Sequence, residues 1–179
     1  SIIKPLTIAA GLDAGAITAT STYFDEGFLT RNNKTISNFD GKGRGRVSIQ
    51  EVLNQSLNTG AATIALQLGN ARFRDYMLRF GIGEETGIDL PGEVSGRIRP
   101  PERWSGMSIG AVSIGQEVAV TPLQVLRAYS AIANGGLLVT PHIVSRVISP
   151  EGKQIWSTMP EYKRVISQAE VAERLYSIK

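Results

Sequence analysis

Apolar and polar positions divide the chain into helical stretches separated by glycine-rich and proline-rich connections. Leu6-Thr7-Ile8-Ala9-Ala10-Gly11-Leu12 is an apolar run that predicts the body of a first helix, beginning at Ser1, loosened by Gly11 and ending around Gly15. Ser48-Ile49-Gln50-Glu51 is a capping-box pattern, a serine with a glutamate three residues on, and it starts a helix with Ile49, Val52 and Leu53 on one face. A second apolar helix is expected from Gly60 through Leu68, stopped by Gly69-Asn70. A third carries Phe73, Met77 and Phe80 at helical spacing, an apolar stripe that reads as core. Thr121-Pro122 supplies a cap and a first-turn proline for a helix through Leu123, Leu126, Tyr129 and Ile132, closed by Gly135-Gly136. Ser167-Gln168-Ala169-Glu170 is another capping box and opens a last helix with Val171 and Leu175.

Strand signals are short. Thr22-Tyr23-Phe24 alternates within a Thr-, Asn- and Gly-rich surface stretch from Thr18 to Gly45. The segments Ile143–Val147 and Gln154–Trp156 flank Ser149-Pro150-Glu151-Gly152-Lys153 and read as a hairpin. Mostly helix is therefore expected across 48–80 and 121–134, with a small hairpin near 143–156.

Composition narrows the chemistry. Of 179 residues, 42% are hydrophobic and 20% charged, ordinary for a folded domain, and the net charge of +3 is too small and scattered to point to nucleic acid. Short basic clusters occur at Lys42-Gly43-Arg44-Gly45-Arg46 and between Arg97 and Arg103. With no cysteine and one histidine, His142, disulfides, thiolate chemistry, a His-based metal site and a Ser-His-Asp triad have almost nothing to draw on. No cofactor is implied. Gly81-Ile82-Gly83 lacks the third glycine of a dinucleotide turn, and Gly41–Gly45 lacks the helix-opening Gly-Lys-Ser/Thr of a phosphate loop. No run reaches the roughly 18 apolar residues of a membrane span, so targeting information is expected outside this chain.

Two short patterns bear chemistry. In Ser1-Ile2-Ile3-Lys4 a helix capped by Ser1 would place a hydroxyl and an amine three residues apart on one face. A serine hydroxyl needs a base to become a nucleophile, and a lysine desolvated in a dry cleft can be that base. The pattern alone also fits a helix cap followed by a solvated lysine. In Ser56-Leu57-Asn58 a hydroxyl can relay a proton and an amide can hold a carbonyl, although a helix C-terminal cap fits equally.

Taken in order, these motifs resemble the transpeptidase domain of the penicillin-binding proteins, specifically the class B branch. Further blocks are similar to that branch. One is Gly81-Ile82-Gly83 followed by Thr86-Gly87-Ile88-Asp89-Leu90-Pro91-Gly92-Glu93 and Ser95-Gly96. Another is Ser113-Ile114-Gly115-Gln116 with Val120-Thr121-Pro122-Leu123-Gln124. The last is Ala133-Asn134-Gly135-Gly136 with Pro141-His142-Ile143-Val144.

The resemblance implies an α+β fold, namely the predominantly helical lobe of the penicillin-binding/β-lactamase-like transpeptidase fold. Short strands and hairpins would accompany it, with most of the antiparallel sheet missing, and residues 1–179 would form one partial domain. It implies Ser1 as acyl-accepting nucleophile, Lys4 as its base, Ser56 as proton shuttle, and Asn58 as the amide that positions substrate or orients Lys4. The implied reaction is peptidoglycan D,D-transpeptidation through an acyl-serine. The implied partners are D-Ala-D-Ala stem peptides, β-lactam antibiotics and other cell-wall synthesis proteins. The implied location is outside the cytoplasm, with a membrane anchor beyond this chain.

Two departures stand beside the resemblance. The family's third motif, Lys-Thr/Ser-Gly, is absent, since Lys34-Thr35 is followed by Ile36. Nothing precedes Ser1 where the family has further segments, so the chain is expected to be a piece of a larger protein. Alternatives are a catalytically incomplete binding or scaffold lobe, a β-lactamase or antibiotic sensor, and a hydrolase using the Ser1 α-amine as base.

Overall fold

A computed structural model describes residues 1–167. Helix α1 (Lys4–Asp13) is followed by strands β1 (Thr22–Asp25), β2 (Phe28–Arg31), β3 (Lys34–Ser37) and β4 (Gly45–Ser48). Three helices come next: α2 (Ile49–Asn54), α3 (Asn58–Leu68) and α4 (Asn70–Arg79). After a long irregular stretch come β5 (Arg97–Ile98), α5 (Ser108–Ser113), β6 (Val118–Ala119) and α6 (Pro122–Ala133). The described chain finishes with β7 (Leu137–Val139), β8 (Arg146–Ile148), β9 (Gln154–Ser157) and β10 (Tyr162–Arg164). Among the described residues every sheet is two-stranded and antiparallel: β1 with β4, β2 with β3, β5 with β6, β7 with β10, and β8 with β9. No central sheet forms within them, as the helical-lobe reading anticipates.

The core lies around α3, which packs against α1, α2, α4 and α5. Gly11 and Gly60 explain how closely these elements approach. A Cβ on Gly11 would stand 2.6 Å from the Ile64 side chain, and one on Gly60 would stand 2.6 Å from Val52 and 2.8 Å from the Tyr23 hydroxyl. Gly11 therefore does not loosen α1; it lets α3 cross it. Helix α1 is buried almost all round, with Leu6, Thr7, Ile8, Ala9, Ala10, Gly11 and Leu12 all buried, the signature of a helix inside a core rather than on its surface.

Local signals hold where their partners are local. The Ser48/Glu51 capping box forms on α2, and Thr121 caps α6 with Pro122 at its first position. Phe73, Met77 and Phe80 are fully buried. Three boundaries differ from expectation. Ser1 caps nothing: α1 begins at Lys4, its N-cap position is Ile3, and no side chain caps it. Helix α3 begins at Asn58, two residues before Gly60, so Ser56-Leu57-Asn58 enters a helix rather than ending one. On α6 the apolar spacing does not mark the buried face. Gln124, Ala128 and Ala131 are buried, whereas Leu126 is 63% exposed. Gln124 can be buried because its amide donates to the Glu84 and Ser95 carbonyls at 2.6 and 2.7 Å and its oxygen accepts from the Thr121 N–H. The expected helix opened by Ser167 lies beyond the described residues.

The hairpin of β8 and β9 starts later than the apolar run suggested. The Ile143 and Val144 N–H groups are instead held by the Asp89 carboxylate at 2.7 and 2.9 Å. His142 lies exposed just before them. Among the described residues no cluster of His, Cys, Asp and Glu could hold a metal ion, and no helix is long and apolar enough to cross a membrane.

Candidate active site

Lys4 sits at the first position of α1 and is only 2% exposed, because the helix that carries it is enclosed by the core. Burial pushes its ammonium down from 10.5 to about 8. Its Nζ donates to the Ser56 backbone carbonyl and, at 2.9 Å, to the Ser56 hydroxyl. The Ser56 hydroxyl in turn donates to Ser1 Oγ at 3.3 Å. The route the hydrogen bonds trace from the Ser1 hydroxyl to the Lys4 amine thus runs through Ser56, with the second motif bridging the two residues of the first.

Backbone shape makes this bridge possible. Ser56 links α2 to α3 with φ of +53°, in the left-handed region that non-glycine residues seldom occupy. That conformation turns its carbonyl and its hydroxyl together toward Lys4. Strain of this kind persists only where surrounding contacts over-determine it. Here the Ser56 N–H is bonded to the Leu53 carbonyl and the Leu57 N–H to the Val52 carbonyl.

Ser1 is held from two sides. Its backbone nitrogen donates to the Ile114 carbonyl at 2.8 Å, and its own carbonyl accepts from the Lys4 N–H in a turn. The neighbouring Ile2 carbonyl accepts from the Tyr129 hydroxyl at 2.9 Å. Gly115 lies against the Ser1 nitrogen with φ of +91°, and Thr7 bonds both Ile3 and Ser113 carbonyls. The Ser113-Ile114-Gly115-Gln116 block is therefore a wall of the site, a role its sequence did not disclose.

A family model described as the penicillin binding protein transpeptidase domain matches residues 1–176. The chain belongs to this family. Penicillin-binding protein PbpB of Mycolicibacterium smegmatis is 33% identical over 178 residues, which is 99% of this chain and 27% of that protein. Peptidoglycan D,D-transpeptidase MrdA of Escherichia coli is 32% identical over 168 residues, 87% of this chain and 26% of that protein. Among solved structures, penicillin-binding protein 3 of Mycobacterium tuberculosis in complex with aztreonam superposes with a TM-score of 0.91 at 28% identity, covering 99% of this chain and 40% of that one. The chain thus spans about a quarter of the length of these curated relatives.

Within this transpeptidase-family chain, Ser1, Lys4 and Ser56 meet in one hydrogen-bonded row. Asn58 stands apart from the row: its side-chain amide donates to the Ser37 carbonyl at 2.8 Å. Beside Ser1 runs an apolar groove of about 490 Å³ lined by Ile2, Val120, Thr121, Pro122, Val125, Leu126 and Tyr129. Val125, Leu126 and Tyr129 of α6 face this groove.

Proposed function

We propose that this chain forms part of a class B peptidoglycan D,D-transpeptidase, the part that carries the nucleophile and its base. The observation that carries the reading is the row Ser1 Oγ, Ser56 Oγ, Lys4 Nζ, ending on an amine whose burial brings it to about 8. A general base works best with a pKa near the operating pH, and this lysine is close to it. That a relative of this chain is a peptidoglycan D,D-transpeptidase, and that a structural neighbour binds aztreonam, supports the substrate class and β-lactam sensitivity.

In the reaction, neutral Lys4 draws the Ser1 proton through the Ser56 hydroxyl while Ser1 Oγ attacks the penultimate D-alanyl carbonyl of a stem peptide. The C–N bond breaks, Lys4 returns the proton to the departing D-alanine amine, and an acyl-Ser1 ester remains. An amine of a second stem peptide then attacks the ester, passing its proton back along the same row and freeing Ser1. A β-lactam ring opens onto Ser1 by the first half of this sequence and stays there. Asn58, its amide tied to the Ser37 carbonyl and away from Lys4, is assigned the substrate carbonyl rather than the orienting of Lys4. Residues 1–179 act as one partial domain, and the opposite wall of the cleft, with the Lys-Thr/Ser-Gly strand and an oxyanion donor, comes from chain beyond them. This chemistry belongs outside the cytoplasm, where peptidoglycan is cross-linked, in a membrane-anchored protein working with other cell-wall synthesis proteins.

The test is intact-protein mass after incubating the full-length protein with penicillin. One stable adduct on Ser1, lost in Ser1→Ala, is expected. No adduct would return the chain to a scaffold lobe, and rapid turnover of penicillin without accumulation would make it a β-lactamase.

A further inference from the structure

We infer that Asn38 and Asp25 are positioning residues for the Ser56–Asn58 segment, and so set the geometry of the proton relay. The inference rests on the acyl-serine reading above. Helix α3 starts without a cap of its own, because its N-cap position is Leu57, which is buried and apolar. The first N–H groups of a helix need acceptors, and a buried end without them is costly. Asn38, 20 residues upstream, supplies one: its Oδ1 accepts from the Asn58 N–H at 3.0 Å and lies 3.4 Å from the Thr59 nitrogen and 3.1 Å from the Thr59 hydroxyl. The cap of α3 is thus borrowed from the turn after β3.

Asn38 is itself fixed. Its amide donates to Asp25 Oδ2 at 2.8 Å and to the Lys42 carbonyl at 3.1 Å. Asp25 Oδ1 accepts from the Thr59 hydroxyl at 2.7 Å and from the Gly27 N–H at 3.0 Å. Asp25, Asn38 and Thr59 are 1%, 6% and 3% exposed. Next to them the Asn58 amide is tied to the Ser37 carbonyl, so both the backbone and the side chain of Asn58 are anchored to residues 37–38.

Such a network is a poor way to gain stability, since apolar packing of the same volume does as well or better. It is a good way to impose one geometry, because each member has a directional partner. What it imposes is the path of the chain through Ser56, two residues before the capped N–H groups. Ser56 presents both oxygens to Lys4 and its hydroxyl to Ser1. A shift of about 1 Å in a reacting geometry can lower a rate by about 100-fold.

The experiment measures acylation of the full-length protein by a fluorescent penicillin and separates labelling amplitude from rate constant. Instability lowers the amplitude, because unfolded molecules do not label; misplacement of Ser56 lowers the rate constant of molecules that are all competent. For Asn38→Ala the expected result is full amplitude with a rate constant lower by about 10–100-fold. The exchanged pair Asp25→Asn/Asn38→Asp keeps an acceptor at the start of α3 and a donor–acceptor contact between the two side chains. It gives up the bond to the Lys42 carbonyl, as Asn38→Asp does, and is expected to label faster than Asn38→Asp, whose two carboxylates face each other. Should Asn38→Ala not fold, Asn38→Asp against the exchanged pair is the same comparison with shape conserved, the pair labelling faster. Wild-type rate in Asn38→Ala, or an exchanged pair no faster than Asn38→Asp, overturns the inference while leaving acyl-serine chemistry in place. A wild-type protein that does not label at Ser1 overturns both.

Discussion

Lys4 concentrates the tension between stability and chemistry in one side chain. Its folded value of about 8 against 10.5 means that folding disfavours the charged form, a penalty on the order of 3 kcal/mol at roughly 1.36 kcal/mol per unit. Between about pH 8 and 10.5 the unfolded chain holds more protons than the folded one, so stability rises with pH across that window and the penalty stands in full below it. Lys4→Met removes the charge and keeps the volume. It is expected to raise the melting temperature at pH 7 by about 2–4 °C per kcal/mol recovered, while abolishing acylation. A melting temperature that falls instead would mean that the bonds to Ser56 outweigh desolvation. On the proposed mechanism the same residue sets the pH dependence of the reaction. Only the neutral amine can take the Ser1 proton, so the acylation rate constant should climb about tenfold per pH unit up to about pH 8 and then level off. Stopped-flow acylation across pH 6–10 measures that bend.

At the scale of elements, the end of α1 is joined to the last described residues by one carboxylate. Asp13 accepts from the Tyr76 hydroxyl and from both the N–H and hydroxyl of Ser167, all at 2.6 Å, with Arg79 at 4.0 Å. Burial pushes its carboxyl upward, but the bonds from Ser167 and Tyr76 and the Arg79 charge outweigh that and hold it below 3.8. Its contribution is therefore present above pH 3.8 and lost as pH falls through the lower folded value. The clasp holds α1, α4 and the segment after β10 together, with Val165 and Ile166 fully buried beside it. Asp13→Ala is expected to destabilise by about 1–3 kcal/mol. The Val165, Ile166 and Ser167 amides should exchange faster with deuterium than those of α3. Unchanged exchange there would show that the two buried side chains suffice without the clasp.

Taken whole, the described molecule presents its row of Ser1, Ser56 and Lys4 beside an open apolar groove. Ile2 at 49% and Leu126 at 63% exposed mark how far that surface remains uncovered. Lys4 is enclosed by these residues themselves at 2% exposed, so on the proposed mechanism what the isolated chain would lack is the oxyanion donor of the opposite wall. This chain by itself is therefore expected to be acylated very slowly or not at all, whereas the full-length protein labels at Ser1. Loss of an oxyanion donor lowers a rate by about 10²–10³. Rapid, stoichiometric labelling of the isolated chain, absent in Ser1→Ala, would show that the missing wall is dispensable.

What was legible in the sequence depended on contacts a few residues long. The Ser48/Glu51 box, the Thr121-Pro122 start of α6 and the Phe73/Met77/Phe80 stripe each need only partners within one or two helical turns, so spacing alone specified them. The family could be read for a related reason, because its motifs keep their order along the chain whatever the fold does with them. The tertiary structure decided everything that joins distant segments. Spacing alone could not place Ser1 against Ile114, nor Lys4 on Ser56 52 residues away; the resemblance implied that the second pair meets, but both contacts exist only once distant segments are packed together. Helix α3 starts at Asn58 rather than Gly60 because its cap is lent by Asn38, a residue outside any local capping pattern. Gln124 is buried and Leu126 exposed because carbonyls of the 84–95 segment, not hydrophobic spacing, cover one face of α6. Sequence periodicity records which faces are apolar; only the folded arrangement of segments determines which are covered and which groups lose their water.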